Sequence, residues 1–479
     1  MSDPEIYQSV LAERYASPAM VRLWSAAHRA HTWRRLWLAL AEEQRRLGLS
    51  IPEAALAQMR QHLEDADLEQ VRAHERRLRH DVMAHIHAFS EQAPAARPYL
   101  HLGATSAFVT DNADLIVMRD ALQLLLGRLT AVLLALREFA VRHRALPTVA
   151  YTHFQPAQLT TVGKRAALWL QDFALDAATL HTVAEGLPFR GVKGTTGTQA
   201  SFLELFGGDH AKVVELDRAV ASAFGFGQSL PLTGQTYTRK IDSQVLDALA
   251  GLAQSAAKFA TDLRLLQHEG EILEPTEAEQ VGSSAMPYKR NPVRAERVCA
   301  LSRYLIGLRE NTAHTAAAQW LERTLDDSAN RRLSLPEAFL SADAILVLVT
   351  NLAAGLEVRE GTIRRNVTRV MPFMATERWL MIGVQAGGDR QALHEIIRRH
   401  ARAVQEEVER GRPNDLLERL ARDASFAGVD AAALARELEP VRYVGRAAEQ
   451  VREYVDGPLK GLLDRLGRYA ARSEAEVSV

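Results

Sequence analysis

Residues 281–296 read VGSSAMPYKRNPVRAE: two serines after a glycine, then a lysine and an asparagine set between prolines. Glycine and proline at that density mark a loop with a restricted backbone. The flanking segments carry helical patterns, so a polar, stiffened loop interrupts a helical chain. Serine, lysine and asparagine there can move a proton, hold an anion and donate hydrogen bonds. Three further stretches gather functional groups. RHDVMAHIHAFS, at 79–90, contains His80, His85 and His87. His80 and His87 could share a helix face, but zinc needs histidines at i and i+4 around a glutamate, so solvated or core histidines are expected and no metal. HLGATSAFVTDN, at 101–112, offers Thr105 and Ser106 just ahead of a helix, either as a capped turn or as hydroxyl and N–H groups for an anion. YTHFQPAQLTTVGKR, at 151–165, places His153 two residues before a helix expected to start at Gln155-Pro156, a position suited to acid–base work. After the opening loop comes QWLERTLDDSANRRLSLPE, where Arg323, Ser328, Arg331 and Arg332 form either an anion clamp or a solvated charged turn.

These groups need a scaffold, and helical periodicity supplies it. Trp33, Leu36, Trp37 and Leu40 share one face at i, i+3, i+4, i+7, and Gly48 follows as a stop. Proline-free runs extend over 111–144 and 236–272. Further helices are expected to begin at Pro156, Pro292 and Pro336, with Asn291 as N-cap of the second and a capping box over 334–337 for the third. A run of about 33 residues spans roughly 50 Å. Helices that long, apolar around most of their circumference as in LQLLLGRLTAVLLAL, need partners along their whole length. The expected fold is all-α: an N-terminal helical domain (1–110), a central bundle of long helices (111–360) assembled into an oligomeric core, and a C-terminal helical domain (361–479) with breaks at Pro372, Gly387-Gly388 and Pro413. The glycine-rich RGVKGTTGTQASF matches no phosphate loop and follows no βαβ pattern, so a shaped turn is expected rather than a dinucleotide or ATP site.

Composition removes several classes of function. A net charge of −1 gives no global basic field for nucleic acid, so an anionic ligand must be held by local arginines. The single cysteine, Cys299, cannot form an internal disulfide and sits in a helical pattern as a small core residue. The N-terminal residues lack a signal-peptide core, and no apolar run reaches the ~18 residues of a membrane span; a cytoplasmic location is expected and no membrane partner.

Read together, G-S-S-x-M-P-x-K-x-N-P at 282–292, HLGATS at 101–106 and THFQPAQ at 152–158 resemble the fumarase/aspartase superfamily. Within it, RHDVMAH, TGQTYTRK, SSAMPYKRNP and ERTLDDSANRR look like the adenylosuccinate lyase family, in its animal-type branch, over nearly the whole chain. The resemblance implies an all-α homotetramer with active sites shared between subunits, no cofactor, and a nucleotide substrate. The implied reaction is β-elimination of fumarate from adenylosuccinate and from the succinyl-carboxamide ribotide of purine synthesis. It assigns Ser283 as base, a choice over Ser284 that spacing does not make. His153 is then the acid, with Glu296 its orienting partner and His80 in an assisting role. Lys289, Asn291, Thr105, Ser106 and Gln235 are implied for substrate carboxylates, and Thr152 for substrate binding. Arg14, Tyr15, Arg79, His80, Asp81, Arg297, Arg323, Ser328 and Arg332 are implied for the nucleotide. The shared loop also fits a lyase acting on argininosuccinate, fumarate or aspartate, and the superfamily bundle has served as a lens crystallin. The arginine-rich stretches favour a phosphorylated substrate, and the presence of Ser283, Lys289, His153 and Glu296 favours catalysis.

Overall fold

The computed structural model describes residues 7–277, 279–280, 284–286 and 288–472, with 470–472 by backbone only. Helix α1 (Ala26–Arg46) starts where Ser25 accepts the His28 N–H, buries Trp33, Leu36, Trp37 and Leu40, and stops at Gly48, whose φ is +110°. Helices α2 (Leu68–Leu78) and α3 (Asp81–Gln92) follow. Then comes α4 (Ser106–Arg142), 37 residues long, which begins ahead of the expected position 111 because Thr105 and Ser106 already open it.

Where a helix was expected from Pro156, the chain instead forms an antiparallel hairpin, β1 (Pro147–Thr152) with β2 (Gln155–Thr161). Thr148, Val149, Thr160 and Thr161 suit strands. Pro156 is tolerated because it pairs with Tyr151 at a register shift, where the ladder is already irregular. The connecting pair His153-Phe154 has φ of +52° and +57°. That is the doubly left-handed turn usually announced by Asn-Gly, so the sequence carried no hairpin signal.

Four more long helices complete the bundle: α5 (Val162–Gly186), α6 (Lys240–His268), α7 (Val293–Ala317) and α8 (Asp326–Gly355). They close a ring in which α4 packs on α5 and α8, α5 on α6, α6 on α7 and α7 on α8. Directions alternate, so the bundle has two ends. At one end Arg239, just before α6, meets Asp111 of α4 and Asp327 of α8 at 3.2 and 2.7 Å. At the other, Thr148 of the hairpin donates to Glu271 at 3.0 Å, and β3 (Ile272–Leu273) pairs with β4 (Glu357–Val358). With 37 residues at ~1.5 Å each, α4 separates these ends by about 55 Å.

Pro336 lies inside α8 and does not start it. The helix begins ten residues earlier, at Asp326, and Ser334 turns to Asn330, so there is no capping box. Proline's missing N–H leaves the carbonyl of Arg332 without its helical partner at the cavity described below. Among the described residues α8 alone is long and apolar enough to cross a membrane; 78% of its most apolar window is buried in the bundle, and its Asp343 accepts the Ser17 N–H at 2.6 Å. The C-terminal helices end at Met374, Gln385 and Glu409, close to the expected breaks.

Candidate active site

A cavity of about 590 Å³ opens at the α4–α8 end. It gathers eight of the expected residues: Arg79, His80, Asp81, Ser106, Gln235, Arg323, Ser328 and Arg332. Arg79 ends α2 with φ +53°, a left-handed conformation that costs a non-glycine residue about 1–2 kcal/mol. The reversal lets His80 cap α3, its Nδ1 accepting the Met83 N–H at 3.3 Å. A neutral ring bound that way carries its proton on Nε2. Asp81 binds Arg332 at 2.7 Å and the Val82 N–H at 2.7 Å. Burial pushes the Asp81 carboxyl up, but that N–H and Arg332 outweigh it, and the group titrates below the usual range. Thr105 stands at the N-cap of α4 without using its side chain to cap. Among the described residues the first N–H groups of α4 have no side-chain acceptor, which suits an anion. Among the described residues the side chains of Arg79 and Arg323 form no ion pair.

The expected clamp divides. Arg331 lines the cavity but is committed to carboxylates, Asp242 at 2.7 Å and Asp114 at 2.9 Å, and to the Tyr237 hydroxyl. Arg239 is held between Asp111 and Asp327 and stacks over Tyr237 at 4.5 Å. This buried floor was not legible in the sequence, because charges in a polar loop and charges in a core look alike until burial separates them. The three histidines scatter. His85 is buried edge-on against Trp33 at 4.7 Å, and burial lowers its pKa to about 4; His87 lies beside His74. No group of metal-ligating residues forms among the described residues.

Gln235 is set by the glycine-rich turn. Its N–H bonds Glu322 O at 3.1 Å, and its carbonyl accepts from buried Arg190, whose pKa burial lowers to about 10. Gly197 has φ +83°, and a Cβ there would stand 2.0 Å from Thr233 O. Gly197→Ala is expected to lose about 1–3 kcal/mol of stability in urea unfolding, from strain and clash together. Unchanged stability would show that the turn does not brace segment 233–235.

The remaining expected residues lie at the opposite end. Thr152 and His153 are exposed at the hairpin tip, and His153 has no partner among the described residues. Tyr151, one step inside, has its pKa raised to about 12 by burial and by Glu271 and Glu269. Lys289 is exposed and Glu296 sits exposed on the first turn of α7. Glu296 makes no contact with His153 within the chain. Asn291 lies two residues ahead of α7 and does not cap it. Glu274 caps instead, its carboxylate taking the N–H groups of Arg294 and Ala295 at 3.2 and 3.1 Å. The positive end of α7 is thus already met by a carboxylate within the chain. Arg290 anchors the loop through Glu357 at 2.8 Å and Thr276 at 2.6 Å. Arg297 stacks over Tyr15 at 5.2 Å, beside Arg14 in the turn Leu11–Tyr15. Ser283, with Gly282 and Pro287, lies outside the described residues.

The family model described as Lyase matches residues 36–307, and one for the adenylosuccinate lyase C-terminus matches 372–454. A crystal structure of a fumarate lyase from Mesorhizobium sp. BNC1 superposes with a TM-score of 0.80, covering 94% of this chain and 100% of that one at 25% identity. Fold and site together define a helical lyase of this class. The adenylosuccinate lyase of Saccharomyces cerevisiae is 47% identical over the full length of both chains, and that of Schizosaccharomyces pombe 48% identical over 95% of each. The chain belongs to the adenylosuccinate lyase family.

Proposed function

We propose that the protein cleaves adenylosuccinate to AMP and fumarate, and the succinyl-aminoimidazole-carboxamide ribotide to its carboxamide and fumarate, in sites built from several copies of the chain. The observation that carries the shared site is the separation of its parts. The nucleotide-binding cavity lies at one end of the bundle, and His153 and Lys289 at the other, about 55 Å away along α4. No side-chain motion closes that gap, whereas antiparallel packing of identical bundles brings opposite ends together. Exposed Leu134, Leu168, Leu175, Leu265 and Tyr304 on the bundle helices supply apolar faces for such packing, in a homotetramer.

In the assembled site, a base takes the proton next to a substrate carboxylate, the role of Ser283. The electron pair develops as a carboxylate dianion, stabilised by Lys289, Asn291, the Thr105 and Ser106 hydroxyls, Gln235, Thr152 and the open N-terminus of α4. The C–N bond then breaks, and His153, oriented by Glu296 of another copy, protonates the leaving nitrogen. Arg79, Arg323, Ser328 and Arg332, with Arg14, Tyr15 and Arg297, hold the nucleotide, Asp81 fixes Arg332, and His80 presents its Nε2–H to the substrate. The buried lone thiol of Cys299 fits a reducing, cytoplasmic compartment. Purified protein should change the ultraviolet absorbance of adenylosuccinate as AMP and fumarate form. Fumarate release from argininosuccinate with no change on adenylosuccinate would overturn the reading.

A further inference from the structure

Asp114 is a carboxylate of the cavity that the roles above do not absorb. Along α4 the cavity is lined by Ser106, Thr110, Asp111 and Asp114. Asp111, like Asp242 and Asp327 of the floor, is almost wholly buried and committed to Arg239 or Arg331. Asp114 differs. Its side chain is 32% exposed, one oxygen lies 2.9 Å from Arg331, and the other meets no donor among the described residues. Burial raises its pKa, Arg331 opposes that, and the carboxylates of Asp111 and Asp242 add to the rise.

Position indicates what would approach it. Asp114 stands eight residues beyond Ser106, about 12 Å along the helix from the end that receives the substrate's carboxylates. Its partner Arg331 adjoins Arg332 and lies one turn from Ser328, both assigned above to the nucleotide, whose phosphate suits guanidinium and hydroxyl donors. The part of a nucleotide next to its 5′-phosphate is the ribose, whose free hydroxyls are donors. An ionised carboxylate only accepts. Arginines cannot accept from a hydroxyl, and both oxygens of Asp81 are already engaged.

We propose that Asp114 accepts a hydrogen bond from a ribose hydroxyl and so selects ribonucleotide over deoxyribonucleotide substrates. The proposal rests on the assignment of the cavity to adenylosuccinate. Intact wild-type oligomer and Asp114→Ala would each be assayed with adenylosuccinate and its 2′-deoxy and 3′-deoxy analogues. A hydrogen bond to a charged group predicts that the wild type prefers the ribonucleotide about 10- to 100-fold in kcat/KM over at least one analogue. In Asp114→Ala that preference should collapse to within about threefold, through a loss on the ribonucleotide and little change on the analogue. An equal loss on all three substrates would make Asp114 a mere prop for Arg331 and overturn the proposal. So would a wild type that cleaves all three alike, a result that needs no variant and leaves the lyase assignment standing. A wild type inert toward adenylosuccinate would instead overturn the assignment beneath it.

Discussion

His153→Ala is expected to lower kcat by about 10²–10⁴-fold with the oligomer intact, the range a positioned general acid supplies. The residue is exposed at a hairpin tip and supports no buried contact, so removing it should leave folding untouched. Turnover within tenfold of wild type would remove His153 from the role of acid. The same variant tests the sharing of sites. Ser283→Ala is expected to be inactive as well, and mixing the two variants under conditions that exchange subunits should restore activity. Hybrid sites that draw His153 from one chain and Ser283 from another then contain both intact residues. No recovery after exchange is verified by mass spectrometry would mean that each site draws the two residues from one chain.

The second large effect is structural. Arg239→Ala should destabilise the protein by about 3–5 kcal/mol in urea unfolding at neutral pH, since it strands the carboxylates of Asp111 and Asp327 in the core. The sign of its pH dependence follows from Asp111. Burial pushes that carboxyl up, but Arg239, Arg331 and Arg190 outweigh it, and its pKa lies below the ordinary value. A depressed pKa contributes stability above the unfolded value of about 4 that is lost as pH falls through the folded value. Without Arg239 the burial of Asp111 is opposed only by Arg331 and Arg190, so its carboxyl rises. The deficit of the variant should therefore grow as pH rises from the folded value of the wild type through that of the variant. A deficit near 1 kcal/mol, or one flat with pH, would show that solvent reaches these carboxylates.

The legible parts share a cause. Trp33, Leu36, Trp37 and Leu40 declare a helix face because periodicity is local, and Gly48 ends the helix for an equally local reason. The hairpin was misread because its turn uses His153-Phe154 in place of Asn-Gly, and because Pro156 reads as a helix start until its pairing is known. Pro336 reads as a helix start for a similar reason: a thirty-residue helix, buried all round over 338–349, holds a proline that an isolated helix would reject.

By itself the sequence determined the helical architecture and the stock of chemical groups, with the motifs that relate the chain to its family. Those follow from side-chain type and short-range spacing. Only the tertiary structure decided where the groups stand. It set Arg331 among carboxylates while Arg323 stays open, gave the cap of α7 to Glu274, left one oxygen of Asp114 facing the cavity, and sent His153 to the far end of the bundle from His80. Burial and pairing across hundreds of residues set those outcomes, because a charge takes its role from its surroundings, and those are assembled only when the helices pack.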